Sequence, residues 1–143
     1  MRALAHQRGR IARVRRIQHG LAASDAAQAA EQVQLLETNR QRLTMMRTEM
    51  RANPGLCSGA ELARLGELAM RLDEARQGLA RSIDMARAAA AARETLRIEA
   101  RRDQESAERL HQAAEHAVAQ AAERRPLRSG RPRSRLEDEG TEQ

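Results

Sequence analysis

The sequence predicts an all-α protein: a long two-helix antiparallel coiled-coil hairpin whose second helix overhangs the first. Three observations carry this. The 143 residues contain no Phe, Trp or Tyr, and without large side chains a thick core cannot be filled, since one buried aromatic removes roughly 150–250 Å² from water. Ala, Glu, Arg, Gln and Leu dominate, a mixture of strong helix formers that marks long helices and coiled coils. The only prolines are Pro54, Pro126 and Pro132, so helix-breaking residues fall at a mid-chain corner and near the end.

The first helix is expected over 3–51. Val14, Ile17 and Leu21, then Val33, Leu36, Leu43, Met46 and Met50, follow steps of three, four and seven, the spacing of one helical face. The register slips between Leu21 and Val33, which predicts a stutter. The turn is expected over 52–59, where Pro54 disfavours helix at Asn53 and Gly55 and Gly59 supply turn conformations. Ser58 and Glu61 have the spacing of a capping box opening the next helix.

The second helix is expected over 60–124. One seam column is read as Leu65, Leu72, Leu79, Ala86, Arg93, Ala100, Ala107, Ala114 and Ala121. The other is read as Leu68, Ala75, Ser82, Ala89, Leu96, Asp103, Leu110 and Ala117, with Arg93 and Asp103 as polar breaks. The large side chains expected to form the seam are thus Val14, Ile17, Leu21, Leu65, Leu68, Leu72, Leu79, Leu96 and Leu110. Folding back from the corner pairs Met50 with about residue 60, Val14 with about 97 and Leu4 with about 107, counting one residue for one along antiparallel helices. The hairpin then occupies 1–125, and 126–143 reads as a disordered Arg/Pro and then acidic tail.

All 26 basic residues are arginine, and the net charge is +6. Residues 1–20 hold six arginines and no acid, so positive charge gathers at one end of the hairpin. One cysteine, Cys57, excludes an intramolecular disulfide and fits a reducing compartment. No apolar run reaches the ~18–20 residues of a membrane span, so a cytoplasmic chain is expected.

Nothing in the pattern converges as a catalytic pocket would, so no enzyme, cofactor or metal is expected. His111 and His116 are five apart, about 140° round a helix, the wrong spacing for shared ligation. The four histidines read as solvated surface residues. Leu36, Leu43, Met45, Met46 and Met50 form an apolar patch near the corner. Met45 and Met46 are adjacent and cannot both face a seam, so one is a candidate partner contact. The basic stretch Arg8, Arg10, Arg13, Arg15 and Arg16 admits a solvated face, an acidic protein partner or nucleic acid. Nucleic acid is not expected, because no aromatic is present to stack on bases.

The basic first helix, the mid-chain break, the run Leu65…Leu68…Leu72-Asp73-Glu74-Ala75, and Glu108-Arg109-Leu110 before a charged C-terminal stretch together resemble the FliJ/YscO family. These are stalk proteins of flagellar and type III secretion export ATPases, and the resemblance covers roughly residues 8–124. It implies an antiparallel coiled coil similar to the central stalk of rotary ATPases. Its terminal end would enter and promote a hexameric export ATPase, while its body reaches the export gate membrane protein and the export chaperones. On that reading Arg8, Arg10, Arg13, Arg15, Arg16, Arg124 and Arg125 meet the ring, and the protein is a monomer peripheral to the cytoplasmic face of the inner membrane. The family's mid-helix aromatics are missing here, which leaves Leu36, Leu43 and the methionines for gate and chaperone contacts. Two alternatives stand beside it: a self-associating coiled-coil adaptor and a nucleic-acid-binding helical protein.

Overall fold

A computed structural model describes residues 1–52, 55 and 58–129, without the side chains of residues 52 and 125–129. The chain is a helical hairpin of two elements, α1 (Arg2–Ala52, 51 residues) and α2 (Gly59–Ser129, 71 residues). Asn53, Pro54, Leu56 and Cys57 of the predicted turn, and residues 130–143 of the predicted tail, lie outside the described residues.

The start of α2 follows directly from the sequence. The Ser58 backbone N–H donates to Glu61 Oε2 at 2.8 Å, and the Glu61 N–H donates back to Ser58 Oγ at 3.3 Å. This reciprocal pair satisfies donors that a helix N-terminus otherwise leaves open. The end of α2 differs from expectation, because the helix continues through Pro126 to Ser129 instead of stopping at 124. By the i→i−4 rule a proline there removes one intrahelical bond, to the Ala122 carbonyl. That loss is small against a helix that has been propagating for dozens of residues.

Contacts divide the chain into two units: residues Met1–Val14 with Glu105–Gln143, and Arg15–Gln104. In the second unit α1 contributes Arg15, His19, Ala22, Ala26, Ala29, Val33, Leu36, Leu43, Arg47 and Met50 to the buried and half-buried side. From α2 come Leu72, Arg76, Leu79, Ile83, Ala86, Ala90, Arg97, Ala100 and Gln104. In the first unit Ala5, Arg8 and Ala12 meet Ala107, His111, Ala114 and Val118. The buried residues among those described are Ala12, Ala26, Leu72, Ile83, Ala107 and Ala114, so four of the six are alanine. Small side chains here let two backbones approach closely, and the seam is thin.

This overturns much of the expected seam. The column of Leu72 and Leu79 is correct, but its companion is Arg76, Ile83, Ala90, Arg97, Gln104 and His111, not the column of Leu68, Leu96 and Leu110. Those three are exposed, as are Val14, Ile17 and Leu21 on α1. The α1 seam positions recur every seven residues from Ala5 and from Arg8, so no stutter separates Leu21 from Val33. The expected slip came from assigning Val14, Ile17 and Leu21 to the seam. Leu65 continues the Leu72 column yet is 40% exposed, because α1 has ended at Ala52 and offers it no opposite residue.

The helix register is also offset. Arg15 pairs with Asp103 at 3.1 Å and Arg93 with Asp25 at 3.6 Å. Arg87 Nε donates to Glu37 Oε1 at 3.1 Å, and Arg47 pairs with Asp73 at 3.4 Å. The expected pairing would have set Arg15 opposite about residue 96, so α2 is shifted by about one heptad. A heptad shift maps each seam column onto itself, which is why apolar spacing alone cannot detect it. Charge does: the expected register would have placed Glu37 near Glu74 and Arg47 near Arg64.

Two measurements check this arrangement. Ile83, 1% exposed, should cost about 2–4 kcal/mol as Ile83→Ala, while Leu110→Ala, at a side chain 55% exposed, should stay within about 0.5 kcal/mol. Denaturant midpoints in the opposite order would restore the sequence-derived seam. Glu37→Arg should destabilise by about 0.5–1 kcal/mol and be recovered by adding Arg87→Glu. In the register expected from the sequence the same substitution would relieve repulsion with Glu74 and be neutral or stabilising.

Candidate protein-interaction surfaces

In the first unit the seam is partly polar. The Arg8 guanidinium donates to the backbone carbonyl of Leu110 at 3.2 Å. His111 lies against Gly9 so closely that a Cβ at Gly9 would stand 2.9 Å from His111 Cε1. A side chain here would push the imidazole aside, so glycine is favoured by close approach and not by an unusual backbone angle. His111 Nε2 lies 3.4 Å from Glu115 Oε1, and its Nδ1 is buried without a partner among the described residues. His19 is likewise half-buried in the second unit, with Nε2 enclosed and unpartnered. His111 and His19 are thus seam residues, contrary to the expected solvated histidines, whereas His6 and His116 are exposed.

The seven arginines expected to meet a ring separate into groups. Arg8 and Arg15 are half-buried and bonded across the hairpin, to Leu110 and Asp103. They help to hold the helices together and offer little free charge. Arg16 is engaged within the chain. Arg10 and Arg13 are exposed and have no ion-pair or hydrogen-bond partner among the described residues, and Arg124 is also exposed. Arg125 lies in α2, but its side chain is outside the described set. Since Gly9 stands beside His111, Met1 lies level with about residue 119. α2 continues for about ten residues past that level, roughly 15 Å.

In the second unit the predicted apolar patch splits by helical face. Leu36, Leu43 and Met50 are half-buried in the seam, while Met45 and Met46 are both exposed. Met46 and Met50 join Leu65, Leu68 and Leu72 around an apolar groove of about 540 Å³, with Glu49 and Gly55 at its rim. Met45 points away from the seam. The groove was half legible, because the methionines were visible but their partners on α2 had been assigned to the seam.

The two edges of this unit differ in chemistry. Along one, Glu37 meets Arg87, and Asp73 accepts from Arg47 and Arg76, each at 3.4 Å. Arg40, Asp73, Arg76, Gln77 and Ala80 line a polar notch of about 420 Å³ there. On the same edge Arg97 donates two bonds to Glu94, at 2.8 and 2.6 Å. These bonds favour the ionised carboxylate and hold the Glu94 carboxyl below its ordinary range. Along the other edge stand Leu21, Leu35, Met46, Leu68, Met85 and Leu96, all exposed.

Neither hollow brings a nucleophile to a base, and among the described residues no three His, Cys, Asp or Glu side chains group as metal ligands would. No described helix is long and apolar enough to cross a membrane. What the surfaces can do chemically is bind other macromolecules through guanidinium groups, methionine and exposed aliphatic side chains. No family model, curated protein or solved structure matches this chain.

The Gly9–His111 contact has a measurable signature. Gly20 lies in mid-helix with nothing within 4 Å of its would-be Cβ, so Gly20→Ala should stabilise by about 0.5–1 kcal/mol. Gly9→Ala should gain clearly less, because the imidazole must move. In a His111→Ala background it should recover the Gly20→Ala value. Equal gains at both glycines in the unaltered chain would show the contact to be unimportant.

Proposed function

We propose that this chain is a non-enzymatic stalk component of a bacterial flagellar or type III protein export apparatus. On this reading it inserts its terminal end into a hexameric export ATPase and promotes its activity. The body of the hairpin links the ATPase to the export gate and its chaperones, at the cytoplasmic face of the inner membrane. The observation that supports it is the first unit, where the stretch of α2 carrying Arg124 runs past the level of Met1. Arg10 and Arg13 stand exposed near this end, with no ion-pair or hydrogen-bond partner among the described residues. A thin helical end with unneutralised guanidinium groups suits an acidic ring lumen, since arginine pairs well with carboxylates. Of the arginines first assigned to ring contact, Arg10, Arg13 and Arg124 carry the proposal, because Arg8 and Arg15 are spent on contacts within the hairpin.

The test is the hydrolysis rate of a co-purified hexameric export ATPase with and without the chain, across a salt series. Stimulation should occur and fall steeply with ionic strength, as attraction between exposed charges is screened beyond about 8–10 Å at physiological salt. Arg10→Glu combined with Arg13→Glu should remove most of the stimulation while leaving helicity unchanged. Stimulation that survives both substitutions would take the ring contact away from these arginines. No stimulation at any salt would end the stalk reading.

A further inference from the structure

We propose that the Arg15–Gln104 unit pairs with the same unit of a second copy through its apolar edge, forming an antiparallel, two-fold symmetric four-helix interface. The inference does not rest on the stalk reading, which concerns the other unit. It replaces the monomer expected from the sequence.

The first argument is where the large side chains are. Of the described hydrophobic residues in this unit only Ala26, Leu72 and Ile83 are buried. Leu21, Leu35, Met46, Leu68, Met85 and Leu96 are exposed, with Leu35 at 56% and Met85 at 75%. On α1 these residues occupy the positions one residue and five residues before a seam alanine or arginine such as Ala26 or Arg47. On α2 they occupy the equivalent positions relative to Arg97 and Ala90. The ion pairs show that equivalent flanks of the two antiparallel helices lie side by side, since Glu37 meets Arg87 on one edge and Asp25 meets Arg93 on the other. These six exposed side chains from both helices therefore share one face, while Ile17, Met45, Leu62, Met70 and Ile98 are exposed elsewhere on the unit. That face is interrupted by Gln28, Gln32, Ala75, Gly78, Ser82, Ala89 and Ala92, all exposed and uncharged.

The second argument is area. From Leu21 to Met46 the face runs about 38 Å at 1.5 Å per residue and is two helices wide. That gives about 750 Å² per partner, close to the ~800 Å² per partner of a standard stable interface. The opposite edge, crowded with the Glu37–Arg87, Arg47–Asp73 and Glu94–Arg97 pairs, offers no comparable apolar area.

Charge selects the occupant. Near the Met46 end the face carries Arg42, Arg64 and Arg71 against Glu49. Near the Leu21 end Asp25 and Asp103 are paired within the hairpin with Arg93 and Arg15, and Glu99 is the exposed acid left to meet the basic end of a partner. Between them the face is uncharged. A second copy laid antiparallel brings each basic end onto the other's acidic end, whereas a parallel copy stacks like on like. A two-fold antiparallel contact is also isologous, so it closes at the dimer.

The experiment is sedimentation equilibrium of the full chain across a concentration series reaching ~100 µM, with helicity followed by circular dichroism. A dimer is expected at micromolar concentration. Leu35→Glu with Met85→Glu should weaken it at least tenfold without loss of helicity, since both side chains are already exposed. Met45→Glu with Met70→Glu, off the face, should leave it intact. Arg42→Glu with Arg64→Glu should weaken it, and adding Glu99→Arg should restore it in part, as only the antiparallel arrangement allows. A monomer throughout the series would overturn the proposal. So would a dimer insensitive to Leu35 and Met85, or an assembly that grows beyond two copies.

Discussion

Four carboxylate–guanidinium pairs hold α1 in register against α2 within the Arg15–Gln104 unit: Arg15–Asp103, Asp25–Arg93, Glu37–Arg87 and Arg47–Asp73. Most of their side chains are well exposed, so each stabilises by no more than about 1 kcal/mol. Their effect is selective. A heptad seam is indifferent to translation by seven residues, and a seam rich in alanine has little shape with which to resist it. Opposite charges meeting at four points, where the neighbouring register would bring Glu37 to Glu74 and Arg47 to Arg64, remove that indifference.

The same thin seam explains the surface. Alanine lets the helices approach and leaves room for few large side chains, Leu72, Leu79 and Ile83 among them, while the arginines and histidines of the seam can extend their polar ends toward its margins. Many of the other large aliphatic side chains stand outside the seam, several of them along one flank. The hairpin thus keeps only part of its apolar area inside. A protein built this way is suited to helix-to-helix contact, and its stability and its binding draw on the same side chains. The polar Arg8–Leu110 and Gly9–His111 contacts play the corresponding part in the terminal unit, where apolar packing is reduced to Ala12, Ala107 and Ala114.

Of the candidate sites, the sequence showed where arginine was dense but not which guanidiniums were available. Arg8, Arg10, Arg13 and Arg15 look equivalent in a linear reading. Folded, Arg8 and Arg15 fall in a seam column and are consumed by internal contacts, while Arg10 and Arg13 face outward. Likewise Met45 and Met46 could not be told apart until the groove formed by Leu65, Leu68 and Leu72 gave Met46 a place. Ile83, the most buried residue described, was missed because its column is otherwise Arg76, Ala90, Arg97, Gln104 and His111, which no hydrophobic count would select. Charge complementarity between the helices was the available signal.

By itself the sequence determined that the chain is two long helices, one ending just before the proline of the mid-chain break and the other opened by Ser58 and Glu61. These depend on local propensity, on capping and on proline's missing donor, all properties of neighbouring residues. The one seam column containing Leu72 and Leu79 was also determined locally, by its period. Tertiary structure decided the companion column, the one-heptad register, the absence of a stutter and the identity of the exposed face. Each is a property of two helices together, fixed by how closely small side chains let them approach and by which distant charges then meet.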